Sequence, residues 1–501
     1  MPPVDDALAE LRDRDAVARL HDRDPALWSD DPEHQDVVGN RLGWLDVATP
    51  PSGWPERLAA FVRGVRQDDI NRVVLAGMGG SSLAPEVVAE LFAHRGRGAE
   101  LRVLDSTHPA AVRALLDDAD LSRTLVMVSS KSGTTEETSC FAAHAGELVG
   151  PQRLVAITDD GSRLQAQALD QGWRAVFTNP ADIGGRYSAL SLFGMLPAAL
   201  VGADTSRLWE RAAAMLERCR RPVEGNPGAQ LAAFMAGNAG AGRDKLTLLT
   251  PTALLPLASW VEQLVAESTG KDGTGIVPVV GEPIGEPGVY GDDRAFVALR
   301  YGADQLLGAD ALADAGHPVL TLEVEHAEDL GGEYVRWEVA TALAGALLGV
   351  DPFDEPNVAE SKANTTAVLG EVGGGGLPEP EHGDVGALLG ELRSGDYLSL
   401  QAYLPPDPAH AGPLARVRAE VRDRLHVATT FGWGPRFLHS TGQLHKGGPS
   451  SVVALQVVNS PTGGPPIPGR PYDFATLVQA QAVGDLRSLR DHGRRVAQVG
   501  V

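Results

Sequence analysis

The chain has 501 residues, of which 43% are apolar and 22% are charged. That balance allows a sizeable folded core and excludes disorder or fibrous repeats as a description of the whole chain. The formal net charge of −23 makes the chain a poor non-specific binder of nucleic acid and of anionic membranes.

The cysteine content and the lengths of the apolar runs indicate the cellular location of the protein. Its two cysteines, Cys140 and Cys219, are too few for a disulfide scaffold and favour a reducing compartment. The N-terminus is acidic and amphipathic, without the basic start and apolar run of a signal peptide. We find no uncharged apolar run of about 18 residues, so we expect no membrane span. These features predict a cytoplasmic protein without a nucleic-acid or membrane partner.

Residues 1–55 are charged and helical in pattern and end in a group of prolines, so we predict a helical lead-in. Short apolar runs then alternate with helical patterns, and they predict strands at 71–76, 101–104, 125–128 and 154–157. Strands alternating with helices build a parallel sheet with helices on both faces, which binds ligands beyond the carboxyl ends of its strands. We assign residues 56–224 to this first lobe.

The pattern recurs more weakly over residues 225–372, where we predict a second lobe of the same kind. Its strand patterns lie at 245–249 and 319–323, and its helix patterns lie at 258–267 and 334–348. The predicted fold class is therefore α/β, with two doubly wound parallel-sheet lobes that carry helices on both faces.

The remainder of the chain divides into a linker and an extension. The segment 373–383 is rich in glycine and proline and predicts a flexible linker. Residues 384–501 then form a C-terminal α/β extension, with strand patterns at 397–404 and 451–458 and a helix pattern at 414–425.

The loop Gly77-Met-Gly-Gly-Ser-Ser82 joins a predicted strand to a predicted helix. Glycines let the backbone approach an anion, and a helix N-terminus offers free N–H groups. A dinucleotide site is one interpretation, and Asp105 at the end of the next strand would suit it. Ser82 stands where that fingerprint needs a glycine, however, and an ordinary tight turn is the other alternative.

The loop from Ser129 to Thr138 is the more specific motif. Its sequence, Ser-Ser-Lys-Ser-Gly-Thr-Thr-Glu-Glu-Thr, packs hydroxyls and one ammonium between a strand and a helix. Hydroxyls, backbone N–H groups and an ammonium are what a phosphate monoester needs, and here they meet at a helix start. A polar helix cap at Thr134 or Thr135 is the alternative. The density of donors favours phosphate over a dinucleotide.

Three later segments place single charged residues near predicted helix ends or turns. Arg186 follows two glycines and could stabilise a developing oxyanion, although a structural ion pair fits equally. Glu267 ends a helix pattern and could be a general base, against the alternative of a surface glutamate. Pro356 marks a possible helix start, and Lys362 lies about two turns into that helix, where the pattern alone predicts that it faces solvent.

Together these segments resemble phosphoglucose isomerase, an enzyme of the sugar-isomerase fold, in the order in which that family has them. They are Gly77 to Ser82, Ser130 to Thr138, Gly184-Gly-Arg-Tyr-Ser188, Glu267-Ser-Thr-Gly-Lys271 and Phe353-Asp-Glu-Pro-Asn-Val-Ala-Glu-Ser-Lys362. The resemblance covers residues 70–370 and implies that both lobes are of the sugar-isomerase (SIS) type. The lead-in and the tail look like the isomerase half of bacterial transaldolase–phosphoglucose isomerase fusions, on segments such as Asn40 to Trp44 and His439 to Gly448.

The resemblance implies a role for each matched residue. Glu267 would carry the proton between C2 and C1, Arg186 would stabilise the enediolate in place of a metal, and Lys362 would assist ring opening. The sugar phosphate would be held by Ser81, Ser130, Lys131, Ser132, Thr135 and Thr138, with Gly79 and Gly80 lining the same site.

Two departures from the family pattern concern ring opening. Glu355 stands where the family has a glutamine. The family's ring-opening histidine is missing, and the corresponding segment, Gly291-Asp-Asp-Arg-Ala-Phe296, contains none. Asp293 or His445 could replace it unless the ring opens unaided, while Arg294 stays protonated and is expected to contact substrate. In the family that histidine comes from the neighbouring subunit, so the resemblance implies a homodimer.

We therefore expect an enzyme that interconverts glucose 6-phosphate and fructose 6-phosphate through a cis-enediol, without a cofactor or a metal. No spacing of histidine, cysteine and acidic residues in the sequence predicts a metal site. A non-catalytic sugar-phosphate-binding regulator, an isomerase of a different sugar phosphate and a nicotinamide enzyme are the alternatives. Thermal stabilisation by fructose 6-phosphate or by NADH would test the last of these.

Overall fold

The computed structural model describes residues 2–93, 98–117, 120–304, 308–375 and 377–501. Within them the strands are β1 (Arg72–Gly77), β2 (Glu100–Leu104), β3 (Thr124–Ser129), β4 (Leu154–Asp159), β5 (Ala175–Asn179), β6 (Lys245–Leu249), β7 (Val277–Val280), β8 (Arg294–Tyr301), β9 (Val319–Val324), β10 (Tyr397–Tyr403), β11 (Ala428–Trp433), β12 (Val452–Val458) and β13 (Arg495–Gly500).

The helices of the first half of the chain are α1 (Pro2–Asp13), α2 (Ala16–His21), α3 (Pro32–Gly39), α4 (Trp54–Gln67), α5 (Leu83–Phe92), α6 (Pro109–Val112), α7 (Glu136–Val149), α8 (Arg163–Asp170), α9 (Leu192–Val201), α10 (Thr205–Cys219) and α11 (Pro227–Gly240). Those of the second half are α12 (Leu255–Thr269), α13 (Ala309–Asp314), α14 (Leu330–Leu348), α15 (Pro356–Gly375), α16 (Val385–Gly390), α17 (Pro408–Leu425), α18 (Gly442–Gly447) and α19 (Phe474–Asp491). Among the described residues, no helix is both long and apolar enough to cross a membrane.

The first sheet has five parallel strands in the order β2-β1-β3-β4-β5. Strands β3 and β4 are buried along their whole length, because helices cover both faces of the sheet. The chain passes from β1 to β2 on one side and then to β3 on the other, so the strand order reverses between β1 and β3. Ligands bind at such a reversal, beyond the carboxyl ends of the strands. The two predicted polar loops, 77–82 and 129–138, both begin there.

The second sheet, β7-β6-β8-β9, and the third, β11-β10-β12-β13, are also parallel and have four strands each. The predicted α/β class with parallel sheets is confirmed, and the C-terminal extension contains a complete sheet. Strands β5, β7, β8, β11 and β13 were not predicted. Strand β7 has only four residues and is too short to stand out as a pattern, whereas β8 was missed although it contains the apolar run Ala-Phe-Val-Ala-Leu.

Helix α14 is buried from Leu330 to Ala346 and packs against α10, α11 and α12. A helix that is surrounded on all sides belongs to the core rather than to the surface. The lead-in docks on this helix, because Trp28 Nε1 donates to the carbonyl of Ala342 at 2.8 Å. The lead-in and the second lobe therefore share one core.

Helix α15 begins at Pro356, as predicted, and continues to Gly375. It packs along α19 of the C-terminal extension. Further on, the N–H of Gly383 donates to the carbonyl of Gln498 at 2.8 Å. The segment 373–383, which we predict to be a flexible linker, thus begins within α15, and its last residue is hydrogen-bonded to the extension.

Candidate active site

A cavity of about 590 Å³ opens at the carboxyl ends of β1, β3 and β4. Residues of α12, of the segment before α15 and of the C-terminal extension close its other side. All three parts of the chain therefore contribute to one site. The predicted residues that line it are Gly79, Gly80, Ser81, Ser130, Lys131, Ser132, Thr135, Thr138, Arg186, Glu267 and Glu355.

The glycine turn after β1 lies directly against the segment that carries Arg186. Gly79 has a φ of +56°, and a Cβ on Gly80 would lie 2.0 Å from the carbonyl oxygen of Gly185. A side chain at Gly80 would therefore displace the backbone next to Arg186. These glycines allow two backbone segments to meet at the edge of the cavity.

The loop after β3 presents donors that protein atoms do not satisfy. The hydroxyls of Ser129 and Thr138 are buried, and neither has a hydrogen-bond partner among the described residues. Thr135 occupies the N-cap position of α7, but its side chain accepts no capping hydrogen bond. An unpaired buried hydroxyl costs about 1–3 kcal/mol. Two of them beside a helix N-terminus favour an anionic ligand.

The ammonium of Lys131 is already bound by protein atoms. Its Nζ forms an ion pair with Asp159 at the end of β4 and donates to the carbonyl of Ala181 at 2.7 Å. Burial raises the pKa of Asp159 to about 6, and Lys131 opposes that rise. Arg163, which the sequence did not single out, lines the same part of the cavity. Among the described residues, this end of the site therefore has the paired ammonium of Lys131 and the guanidinium of Arg163.

Glu267 lies near the end of α12 and is 7% exposed. Its Oε1 is 3.7 Å from Nη1 of Arg186, and its Oε2 accepts a hydrogen bond from Nε2 of Gln263 at 3.0 Å. Burial raises the pKa of Glu267, and Arg186 opposes that rise. A buried carboxylate that keeps one cation and one amide donor at hand is suited to be a general base.

The guanidinium of Arg186 is buried and joins several parts of the site. It donates from Nε to Ser268 Oγ at 2.9 Å and from Nη1 to Glu355 Oε2 at 3.0 Å. Its Nη2 donates to two backbone carbonyls of the segment just before Glu355, each at 2.8 Å. Burial opposes the charge of Arg186, but Glu267 and Glu355 raise its pKa overall. Arg186 therefore stays charged and holds Glu355 at the cavity.

Lys271 fastens the same segment from the other side. Its Nζ donates to Oδ1 of Asp354 and to the carbonyl of Asp351, both at 2.5 Å. His34 of the lead-in lies 2.7 Å from Oδ2 of Asp351, which brings one histidine and two carboxylates together. The spacing of these residues in the sequence gives no hint of that cluster. The ammonium of Lys271 already supplies positive charge to this cluster.

Lys362 follows on α15, but its side chain lies outside the part of the chain that the structure describes.

His439 reaches the cavity from the C-terminal extension and was not predicted as a site residue. Its Nε2 is 2.9 Å from Oε1 of Glu137, and its carbonyl accepts a hydrogen bond from Nε2 of Gln263 at 2.7 Å. Nε2 of Gln481 donates to the same oxygen of Glu137 at 2.7 Å. A histidine that is hydrogen-bonded to a carboxylate is a group that can transfer protons in catalysis. The sequence offered His439 only as one of the two histidines of the segment from His439 to Gly448.

Three predicted residues lie away from the cavity. Nη2 of Arg294 forms a buried ion pair with Glu282 at 2.8 Å, and Asp293 Oδ2 lies 3.7 Å from Nζ of Lys245. Both are at the amino end of β8, opposite the edge at which parallel sheets bind ligands. His445 is 3% exposed, and burial lowers its pKa to about 3, so it stays neutral. Within this chain, the substrate contact expected of Arg294 and the ring-opening role considered for Asp293 and His445 are not supported.

Comparison with known proteins identifies one enzyme family. Residues 56–310 match the family model described as Phosphoglucose isomerase. The glucose-6-phosphate isomerase of Rubrobacter xylanophilus is 31% identical in an alignment of 369 residues that covers 62% of this chain and 85% of that protein. The glucose-6-phosphate isomerase of Synechococcus elongatus is 31% identical in an alignment of 423 residues that covers 72% of this chain and 77% of that protein.

Solved structures share the fold. A hypothetical protein from Thermus thermophilus superposes with a TM-score of 0.61 at 25% identity, covering 74% of this chain and 98% of that one. A glucose-6-phosphate isomerase from Chlamydia trachomatis superposes with a TM-score of 0.57 at 19% identity, covering 74% of this chain and 86% of that one. Because the family model spans a little more than half of the chain and the named relatives extend the match, the resemblance read from the five motifs is confirmed, and the chain belongs to the phosphoglucose isomerase family.

Proposed function

We propose that this chain interconverts glucose 6-phosphate and fructose 6-phosphate, the reaction for which its relatives are named. One observation carries the proposal beyond the family. The buried carboxylate of Glu267 lies beside Arg186 in the cavity that the hydroxyls of Ser129 and Thr138 also reach. A base, a cation and an anion-binding loop in one cavity are what proton transfer on a sugar phosphate requires.

The first step in this proposal is phosphate binding at the start of α7. The free hydroxyls of Ser129 and Thr138 donate to phosphate oxygens, and the helix N-terminus adds backbone N–H groups. Lys131 contributes its charge while it remains close to Asp159. Further donors come from Ser81, Ser130, Ser132 and Thr135, which line the same cavity.

Ring opening falls to His439 in this proposal. The imidazole takes the proton of the hydroxyl on C1 while the C1–O5 bond breaks and its electron pair goes to O5. Glu137 holds the imidazole in place through its contact with Nε2. Lys362, whose place on α15 follows Glu355, stays assigned by resemblance as the proton donor to O5.

Isomerisation then falls to Glu267. Its carboxylate removes the proton from C2, the C–H electron pair forms the C1=C2 double bond, and the C1 oxygen takes the negative charge. Nη1 of Arg186 uses one N–H on Glu355, so its second N–H is available to that oxygen. The C1 oxygen then takes the proton of the C2 hydroxyl, the electron pair left on the C2 oxygen forms the C2=O bond, and the C1=C2 pair takes back the proton from Glu267 at C1, which gives fructose 6-phosphate.

A coupled assay that follows conversion of fructose 6-phosphate to glucose 6-phosphate tests the proposal. We expect turnover by the wild-type chain and loss of turnover in Glu267→Gln. A non-catalytic regulator has no use for a buried carboxylate held between Arg186 and Gln263, so the enzyme is favoured. Thermal stabilisation by fructose 6-phosphate without any turnover would support the regulator instead.

We also propose that the site is complete within one chain, because His439 comes from the same chain as Glu267. The homodimer implied by the resemblance is then not needed to supply a histidine.

Cys140 and Cys219 are both buried free thiols, and on this ground we propose a cytoplasmic location. We propose catalysis without a cofactor or a metal, because Arg186 can meet the charge of the enediolate.

A further inference from the structure

A second cavity, of about 370 Å³, lies beside a different face of α12. Its walls come from α5 of the first lobe, α12 of the second lobe, and α17 and β11 of the C-terminal extension. The volume is within the range of about 300–1,000 Å³ that small-molecule sites occupy. No residue of the phosphate loop lines it, so it is separate from the site described above.

Two opposite charges in this cavity, those of Glu262 and Arg418, form no ion pair among the described residues, although each acts on the pKa of the other at longer range. Among the described residues, Glu262 makes no hydrogen bond and no ion pair. Arg418 is 4% exposed and donates only to uncharged oxygens, namely the carbonyls of Val280, Gly281 and Thr429 and the hydroxyl of Thr429. Burial raises the pKa of Glu262 to about 7 and lowers that of Arg418 to about 10. Burial thus disfavours the charged form of both side chains.

The two groups are also too far apart to satisfy each other, since their nitrogen and oxygen atoms do not come within 4.0 Å. Arg418 has five N–H groups, and the four hydrogen bonds above leave one of them, on Nη1, without a partner in the described part of the chain. The remaining charges of the lining, Glu86 and Arg436, are paired with each other. The cavity is therefore complementary to a ligand that carries one positive and one negative group and has no net charge.

Between these charges the wall is apolar and partly aromatic, with Leu83, Leu255, Phe431, Trp433 and Phe437. We propose that this cavity binds a small zwitterion with an apolar body, of the chemical class of the α-amino acids with aromatic or branched side chains. Its ammonium would lie against Glu262, its carboxylate would accept from Nη1 of Arg418, and its side chain would pack on the aromatic wall.

Occupancy of this cavity is positioned to affect the catalytic site. Glu262 precedes Gln263, whose Nε2 donates both to Glu267 and to the carbonyl of His439. Arg436 lines the second cavity and begins the short helical turn that ends at His439. A ligand that favours this arrangement of α12 and the turn would raise kcat and leave KM unchanged. Binding stands independently of the proposed function, whereas this effect on turnover rests on it.

Isothermal titration of the full chain with L-phenylalanine, L-leucine and L-tryptophan tests the binding. Phenethylamine lacks the carboxylate and 3-phenylpropionate lacks the ammonium, so each should bind about tenfold more weakly than phenylalanine. Failure of all three amino acids to bind would overturn the proposal. If either analogue bound as tightly as phenylalanine, the proposal would also be overturned, because the cavity would then recognise only one of the two charges.

Two variants test whether the ligand binds in this cavity. Glu262→Gln keeps the shape and removes the charge, and Ala415→Phe fills the space without changing a charge; each should weaken binding by about tenfold or more. Glu210→Gln, an exposed glutamate on α10, is the matched control and should bind like the wild type. Unchanged binding in Glu262→Gln would overturn the assignment, even if Ala415→Phe did not fold.

The effect on turnover is then measured in the coupled isomerase assay with saturating phenylalanine. We expect kcat to rise about twofold or more in the wild type and not in Glu262→Gln, a change that corresponds to less than about 1 kcal/mol. Binding without any change in kcat would overturn the coupling between the cavities. Absence of isomerase activity under all conditions would instead count against the proposed function and leave the titration result intact.

Discussion

Nε2 of His439 lies 2.9 Å from Oε1 of Glu137, although 302 residues separate the two in the sequence. Glu137 belongs to α7, whose N-terminus adjoins the phosphate loop, and His439 belongs to the C-terminal extension. The extension therefore forms part of the cavity wall rather than a separate domain beside it. A histidine and a carboxylate joined in this way provide an acid–base pair at the cavity, apart from Glu267.

His439→Asn should reduce turnover of cyclic glucose 6-phosphate by about 10²–10⁴-fold, because the imidazole no longer accepts a proton during ring opening. Exchange of the C2 proton in an acyclic analogue of the substrate should be nearly unaffected, since Glu267 remains in place. Asp293→Asn, which lies away from the cavity, is the control and should retain both activities. An equal loss on both substrates would contradict a role in ring opening.

The acid side of the pH–rate profile should depend on Gln263. Its hydrogen bond to Glu267 lowers the pKa of that carboxyl group, so Gln263→Leu should raise the pKa further. A base must be ionised to act, and the rise of kcat with pH should therefore shift to higher pH in this variant. Measurement of kcat from pH 5 to 9 checks the shift, with the exposed Gln152→Leu as the control. An unshifted profile would mean that Glu267 does not limit the reaction at low pH.

Thr138→Val should weaken substrate binding and yet stabilise the unliganded protein. The hydroxyl of Thr138 is buried without a described partner, so its removal should raise the free energy of unfolding by about 1 kcal/mol. The same change should raise KM about tenfold with little loss of kcat, because the phosphate contact is equal in ground and transition states.

Thr124→Val provides the matched control for that variant. The hydroxyl of Thr124 donates to the carbonyl of Asp120 at 2.8 Å, far from the phosphate loop's donors. Its loss should lower the free energy of unfolding by about 1 kcal/mol and leave KM unchanged. Urea unfolding and steady-state kinetics measure both quantities. A destabilised Thr138→Val with normal KM would show that its hydroxyl serves the fold and not the substrate.

Lys271→Met should impair both stability and catalysis. Removal of a buried ammonium from its acceptors costs about 3–5 kcal/mol, and the segment that carries Glu355 beside Arg186 loses one of its two fastenings. Lys245→Met is the control, because Lys245 is also a buried ammonium paired with a carboxylate, Asp244, away from the cavity. We expect urea unfolding to detect both losses, and kcat to fall only for Lys271→Met. Equal kcat in the two variants would contradict a positioning role.

The sequence by itself was enough for the α/β class with parallel sheets and for about half of the residues that line the cavity. Strands such as β1 and β3 are short apolar runs that end in polar loops, and a local pattern of that kind can be recognised without knowledge of the partner strand. The loop at Ser129 to Thr138 follows the same rule, because its donors are neighbours in the chain. The local sequence around Glu267 and Arg186 did not by itself indicate a catalytic role. Their roles were assigned because the motifs that contain them occur in the same order as in a known family.

The tertiary structure decided which distant residues meet. His439 belongs to the C-terminal extension and Gln263 to α12, and the two meet at the cavity where α18 of the extension packs on α12. Arg294 lies in a segment that aligned with a family motif, yet it starts β8 and so lies at the amino end of its sheet. Local spacing determines where strands and turns begin, whereas the packing of whole lobes determines which side chains share a cavity, and that packing depends on contacts between residues hundreds of positions apart.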